Sequence, residues 1–366
     1  MMRLSSVNSI NFYGKIIDSH VHVGNWSENG TVRDYTKDID VFIKSALDNG
    51  DTVENVIVSN LDCMTRKEGG FYSDETVGNK RLLELAAKNP KIAPLATCQP
   101  GYGDVENIRK LLREHPNQFV GFKFHPEQLN IPANDSRYQA YMDLAKEKNL
   151  PCLFHSARTF DVTYPDGNIG KASEFSNPMQ IYELARKYKD VPVVFAHWGG
   201  DGEANINFTT RCIIDSIKRG DANLYADISW VDCDNPQKPN LKRIIEQLKA
   251  ENALDRIMFG TDAPLGRFSS KQEYEKTIND IKSMIRREFS TEAEDIIDKI
   301  FYSNAKKVFL SDKGPDEPKP PQPKTPEPKG NKWTKALIAA GILILGVIGW
   351  HYYNKHNKSK SVDIKA

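Results

Sequence analysis

The sequence carries almost no net charge, few cysteines and no pair of them at metal-binding spacing. Of its 366 residues, 50 are Lys or Arg and 49 are Asp or Glu, a formal charge of +1. A nucleic-acid groove needs clustered positive charge, so this balance argues against nucleic acid as a partner. The five cysteines (Cys63, Cys98, Cys152, Cys212, Cys233) form no CxxC pair and are odd in number. Neither a zinc ribbon nor a closed disulfide framework is indicated, and they read as reduced core residues of a cytosol-like compartment. Met1 to Gly14 lacks an apolar run of signal-peptide length, so export from this end is not expected. What is present is 39% hydrophobic and 10% aromatic residues, enough for a large packed core.

Charge and composition divide the chain near residue 313. Residues 1–312 carry −5 and residues 313–366 carry +6. Gly314 to Gly330 holds seven prolines in seventeen residues, a composition that excludes helix and sheet and favours an extended polyproline spacer. Trp333 to Tyr353 follows, uncharged from Ala336 to Trp350 and edged by Trp333, Trp350, Tyr352 and Tyr353. That is the length and the aromatic belt of a membrane span. The expected organisation is a lead-in at 1–14, a catalytic body at 15–312, a Pro-rich linker at 313–332, a transmembrane helix at 333–353 and a short basic tail at 354–366. Lysines flank both ends of the span, so the charge rule does not set its orientation. Without a signal peptide, the expected arrangement is a single-pass C-terminal anchor with the body facing the cytoplasm.

In the body, short β-branched or aromatic runs alternate with stretches of helical period. Strands are expected at 15–19, 55–60, 92–97, 120–124, 152–155, 192–197, 224–229 and 256–261. Eight βα units over about 300 residues suit a (β/α)8 barrel, with an open doubly wound sheet as the competing α/β arrangement. The unusual side chains favour the barrel, because they fall at the C-terminal ends of these strands: His20 and His22, Lys123 and His125, His155, His197 and Asp262. In a barrel all such ends converge on one face.

His20 and His22 are two apart at a strand end, so both side chains point to one face as potential metal ligands. Alone they could equally be strand-end histidines bonded to backbone carbonyls. Asp262 in GTDAP could be a turn or helix-capping aspartate. Arg158, three residues past His155, is either a carboxylate-binding residue or an exposed loop arginine. Trp26 and Trp230 are candidates for the wall of an apolar pocket or for rim packing. Gly199 and Gly200 allow close backbone approach after His197, as would an ordinary turn.

Together the segments DSHVHVG, GFKFHPE, LPCLFHSA, VPVVFAHWGG, MFGTDAPLG and YSNAKKVF resemble the amidohydrolase superfamily over nearly the whole body, in its amidohydrolase-related (amidohydrolase 2) branch. That branch also contains decarboxylases and hydratases. The resemblance implies a TIM barrel with His20, His22, His155 and Asp262 as metal ligands. His197 would be the general acid/base in a one-metal site or a further ligand in a two-metal site. Lys123 would be a carbamylated bridge if two ions bind. Apart from the resemblance, the residues themselves make His125, Arg158 and Trp26 candidates to face the substrate, and Asp262 can accept the proton of an attacking water that lies within hydrogen-bond reach. The expectation is a metal-dependent hydrolase, with zinc as the divalent metal (one ion or two), attacking an amide, ester or cyclic amide of a small molecule. The alternatives are a decarboxylase or hydratase of the same family, a lyase acting on an aromatic or keto acid, and a catalytically silent, membrane-tethered binding module.

Overall fold

The computed structural model describes residues 14–311, apart from 29–30, 44–46, 158–160, 164–168, 201–202, 234–239 and 264–269. Eight of the described strands form one parallel sheet in sequence order: β1 (Lys15–Val23), β2 (Thr52–Asn60), β3 (Ile92–Thr97), β4 (Gly121–Phe124), β5 (Cys152–Phe154), β6 (Pro192–Phe195), β7 (Asn223–Asp227) and β8 (Ile257–Met258). The ring closes where β1 meets the chain after β8. Val21 bridges Ala263 in parallel, the Asp262 N–H donates to the His20 carbonyl (2.8 Å), and the His22 N–H donates to the Ala263 carbonyl (2.7 Å). An open sheet would leave its first and last strands unpaired, so the arrangement is a TIM-like barrel.

A helix follows each strand: α1 (Ile39–Ile43), α2 (Glu75–Lys88), α3 (Val105–Glu114), α4 (Gln139–Lys148), α5 (Pro178–Lys187), α6 (Glu203–Arg219), α7 (Asn240–Ala250) and α8 (Lys271–Phe289). Local chemistry sets their starts. Asp74 caps α2 by accepting from the Thr76 and Val77 N–H groups, and Asn177 caps α5 immediately before Pro178.

Period-two alternation divides each strand between two cores. Ile16, Val56, Phe122, Phe124 and Phe154 face the helices, and Phe124 stacks on Phe154 at 4.6 Å. Ile17, Ile57, Leu95, Leu153, Val194 and Met258 fill the barrel interior with Ala305, Val308 and Phe309 from the chain's return after α8. Burial on both faces is the reason these strands read as continuous apolar runs. The same alternation turns Lys123, between Phe122 and Phe124, into the interior, where it is 1% exposed. One end of the barrel is therefore packed with hydrocarbon, and the strands' C-terminal end carries the polar groups.

The expected span 333–353 and the linker before it lie outside the described residues. Among the described residues, no helix is long and apolar enough to cross a membrane.

Candidate metal centre

Three donor atoms meet at the mouth of the barrel. His22 Nε2 is 2.8 Å and His20 Nε2 is 3.2 Å from Asp262 Oδ1. The two histidines sit on β1 with one residue between them, and Asp262 is brought to them by the backbone bonds that close the ring. Each outer imidazole nitrogen has its own partner: His20 Nδ1 lies 3.0 Å from Asp227 Oδ2, and His22 Nδ1 lies 2.8 Å from the Ser59 hydroxyl. The other oxygen of Asp262 accepts from Trp230 Nε1 at 2.8 Å.

Burial governs the charges here. Desolvation lowers the His22 pKa to about 4, with only partial opposition from Asp262, so this imidazole stays neutral. Burial works against the charge of Asp262, but the facing imidazoles of His197, His20 and His22 hold its carboxyl well below the ordinary range. Burial also draws Lys123 down to about 8; its Nζ lies 2.8 Å from His20 Nε2. Two imidazoles with partners at their outer nitrogens, beside one carboxylate, are a donor set that suits a divalent ion. The residues present therefore fit the group that the sequence implies.

A second histidine cluster adjoins the first. The rings of His20 and His197 are 5.0 Å apart. His197 Nδ1 lies 2.8 Å from the Ser229 hydroxyl, and its Nε2 is 3.2 Å from His155 Nδ1. His155 Nε2 in turn faces Glu127 Oε2 at 3.2 Å, and its ring stacks on His125 at 3.9 Å. His155, expected among the ligands, thus lies between His197 and Glu127 and not beside His20, His22 and Asp262. Trp26 stands at the rim with its ring 6.3 Å from His125 and packs on Tyr35, Leu61 and Met64. Arg158 lies outside the described residues.

The backbone is turned into the left-handed region at His197 (φ 58°), Trp198 (φ 50°), Trp230 (φ 63°) and Asp262 (φ 62°). Such positions cost of order 1–3 kcal/mol each, and their clustering at strand ends aimed at one point is typical of a functional site. Trp198, fully buried, holds the turn after His197 by donating to Thr210 Oγ1 at 2.9 Å. Gly199 follows at φ 83°, where a Cβ would stand 2.1 Å from Thr209 Oγ1. The close approach inferred for this glycine is thereby required.

Several polar residues of the site were not singled out from sequence: Asp18, Ser59, Glu127, Asp227 and Ser229. Asp18 is buried and binds Thr261 (2.6 Å to its hydroxyl), the His20 N–H and the Tyr274 hydroxyl, tying β1 to the chain after β8. Desolvation raises its pKa to about 7 against those hydrogen bonds. Asp227 ends the apolar run of β7. The strand-end rule that found His155 and His197 would have found it as well.

A family model described as "Amidohydrolase" matches residues 73–310. Among solved structures, the chain is similar to a putative 2-pyrone-4,6-dicarboxylic acid hydrolase from Pseudomonas putida (13% identity, 80% of this chain and 97% of that one, TM-score 0.54). It is also similar to a putative amidohydrolase from Staphylococcus aureus (14% identity, 81% and 99%, TM-score 0.53). A third is the 2,6-dihydroxybenzoate decarboxylase from Rhizobium (16% identity, 81% and 98%, TM-score 0.51). At these identities the likeness is one of fold. No curated protein matches the sequence.

Proposed function

The chain belongs to the amidohydrolase family, and on that premise we propose that it is a metal-dependent hydrolase of small molecules, with His20, His22 and Asp262 holding one divalent ion. The observation that carries this reading is the meeting of His20 Nε2, His22 Nε2 and Asp262 Oδ1 within 3.2 Å of the shared carboxylate oxygen. Two imidazoles and a carboxylate match zinc by donor type. Such an ion would supply Lewis acidity at the open end of the barrel.

The chain's own groups divide the remaining work. Trp230 donates to Asp262 Oδ2, so the carboxylate keeps its orientation while it serves as the proton acceptor for an attacking water. His197, oriented by Ser229, is the acid/base that serves the leaving group. Lys123 places a cation beside His20 in a nearly water-free interior, where it stabilises negative charge developing on a substrate oxygen. His155, held by Glu127, and His125, stacked on it, border the space where the substrate enters, with Trp26 at its rim. The bond attacked is that of an amide, ester or cyclic amide. The apolar segment 333–353 anchors the chain at a membrane, a reading that rests on its composition alone.

The test is to assay the zinc-loaded full chain against a panel of small amides, esters, lactones and cyclic amides, and against hydroxybenzoates for CO2 release. Turnover in the first set that is lost in His197→Asn supports the reading. CO2 release alone would make it a lyase, and metal binding without any turnover would leave a binding module.

A further inference from the structure

Glu75 opens α2, yet its carboxylate lies beneath the loop that follows β3, and the residue is 1% exposed. Its Oε2 accepts from the Gln99 N–H (3.0 Å) and its Oε1 from the Asp104 N–H (2.9 Å), so both ends of the loop are fastened to one side chain. The Tyr141 hydroxyl on α4 donates to Oε2 at 3.0 Å. A Cβ at Gly103 would collide with both oxygens, so the loop backbone is the cover of the carboxylate. Gln99 is held besides by its own amide, which donates to the Cys63 and Ser73 carbonyls. The end of the loop that depends on Glu75 is therefore Tyr102 to Asp104.

No positive charge offsets this burial. The titratable groups that face Glu75 are Asp104 in the loop, Tyr141 on α4, Cys98 at the end of β3 and Cys63 after β2, with Asp74 next to it in the chain. Arg81 on α2 pairs with Asp62, and Arg137, which lies against Gly101, bonds both oxygens of Asp135. Burying a carboxylate without a cation disfavours its charged form, and the three hydrogen bonds oppose this only in part. The carboxyl is pushed up from 4.5 to about 7. When protonated, it can donate to the Tyr141 oxygen and still accept from the two N–H groups.

The loop is joined to the mouth of the barrel. Tyr102 packs edge-on against Phe71 at 5.1 Å, and Arg66 lies over both rings. Arg66 Nη1 donates to the Gln128 carbonyl (3.0 Å), beside the Glu127 that faces His155. We propose that Glu75 is a proton-sensitive latch of this rim: its neutral form keeps Tyr102 to Asp104 closed, and its ionisation favours an open loop in which the carboxylate reaches water. The sign follows from proton counting. The closed loop binds the proton more tightly than the open one, so opening becomes easier as pH rises from 4.5 through 7. Glu75 bonds none of the metal-site residues, so the latch does not depend on the metal-site reading.

The test is hydrogen–deuterium exchange of the full chain at pH 5.5 and pH 8, corrected for the intrinsic pH dependence of exchange. The amides to follow are those of Tyr102 and Gly103, both bonded to the Gln99 carbonyl in the closed loop, and of Asp104, bonded to Glu75. In the wild type their protection should fall by about tenfold or more between the two pH values. Glu75→Gln cannot titrate, so its loop should be protected equally at both. A wild-type loop with the same protection at pH 5.5 and pH 8, or with more at pH 8, would overturn the proposal without any variant. So would a folded Glu75→Gln chain that keeps the wild-type pH dependence, because another group would then be operating the loop.

Discussion

His22 Nε2 and Asp262 Oδ1 lie 2.8 Å apart although 240 residues separate them in sequence. The backbone bonds that close the barrel hold both residues, so the same seam that closes the ring brings the two side chains together. The site should not survive loss of the β1 seam.

Trp230→Phe keeps an aromatic ring, though a smaller one, and deletes the N–H that binds Asp262 Oδ2. A hydrogen bond to a charged group contributes about 1.5–3 kcal/mol, and this one is partly screened because Trp230 is 36% exposed. Zinc affinity measured by chelator competition should fall by roughly tenfold, with the melting temperature nearly unchanged. An unaltered affinity would mean that Asp262 holds its position without Trp230.

Gly260→Ala places a methyl group against Asp227 and His20, neither of which is a flexible side-chain end at the point of contact. Overpacking of this kind costs about 1–3 kcal/mol. Thermal unfolding should move down by several degrees and zinc should bind more weakly. A chain as stable as wild type would show that the strand ends can part without loss.

His125 is buried, and desolvation, reinforced by nearby His155 and Lys123, places its pKa well below 6.5. The sign follows from proton counting. Below pH 6.5 the unfolded chain gains a proton at this residue that the folded chain refuses, so stability falls as pH falls. Asp18 and Glu75, both raised to about 7 by burial, act in the opposite direction, because below pH 7 the folded chain protonates first. Comparison of wild type with His125→Asn cancels those two groups. Urea unfolding of the metal-free chain should show the wild type losing roughly 2 kcal/mol more than the variant between pH 7 and pH 5. Parallel pH profiles would contradict the burial argument.

The barrel was legible because burial on both faces gives each strand an apolar run, and because His20, His155 and His197 interrupt those runs at their ends. The bounds shifted where pairing decides them. β1 continues to Val23 because His22 and Val23 pair with Ser59 and Asn60, and β8 ends at Met258 because the chain beyond it bonds to β1 one residue at a time. The carboxylates beside the histidines were harder to see. Glu127 follows a strand end as part of HPE and resembles any first-turn helix acid, and Asp227, though at a strand end like His155 and His197, has its histidine partners His20 and His197 far away in sequence. His155 was expected with the ligands because it sits at the correct strand end, but position on the barrel face does not determine which neighbour an imidazole meets.

If the segment 333–353 anchors the chain, arginines placed at Leu343 and Leu345 should each oppose insertion by about 2.5–3.5 kcal/mol. The wild-type chain should remain in the membrane pellet after an alkaline carbonate wash, and the doubly substituted chain should move to the supernatant. A wild-type chain recovered in the supernatant would remove the anchor.

The most direct test of the account is the metal content of the full chain purified without chelator, compared with Asp262→Asn. About one divalent ion per wild-type chain, falling well below one in the variant, is the predicted result. A wild-type chain that holds no metal, even after incubation with zinc, would contradict the account.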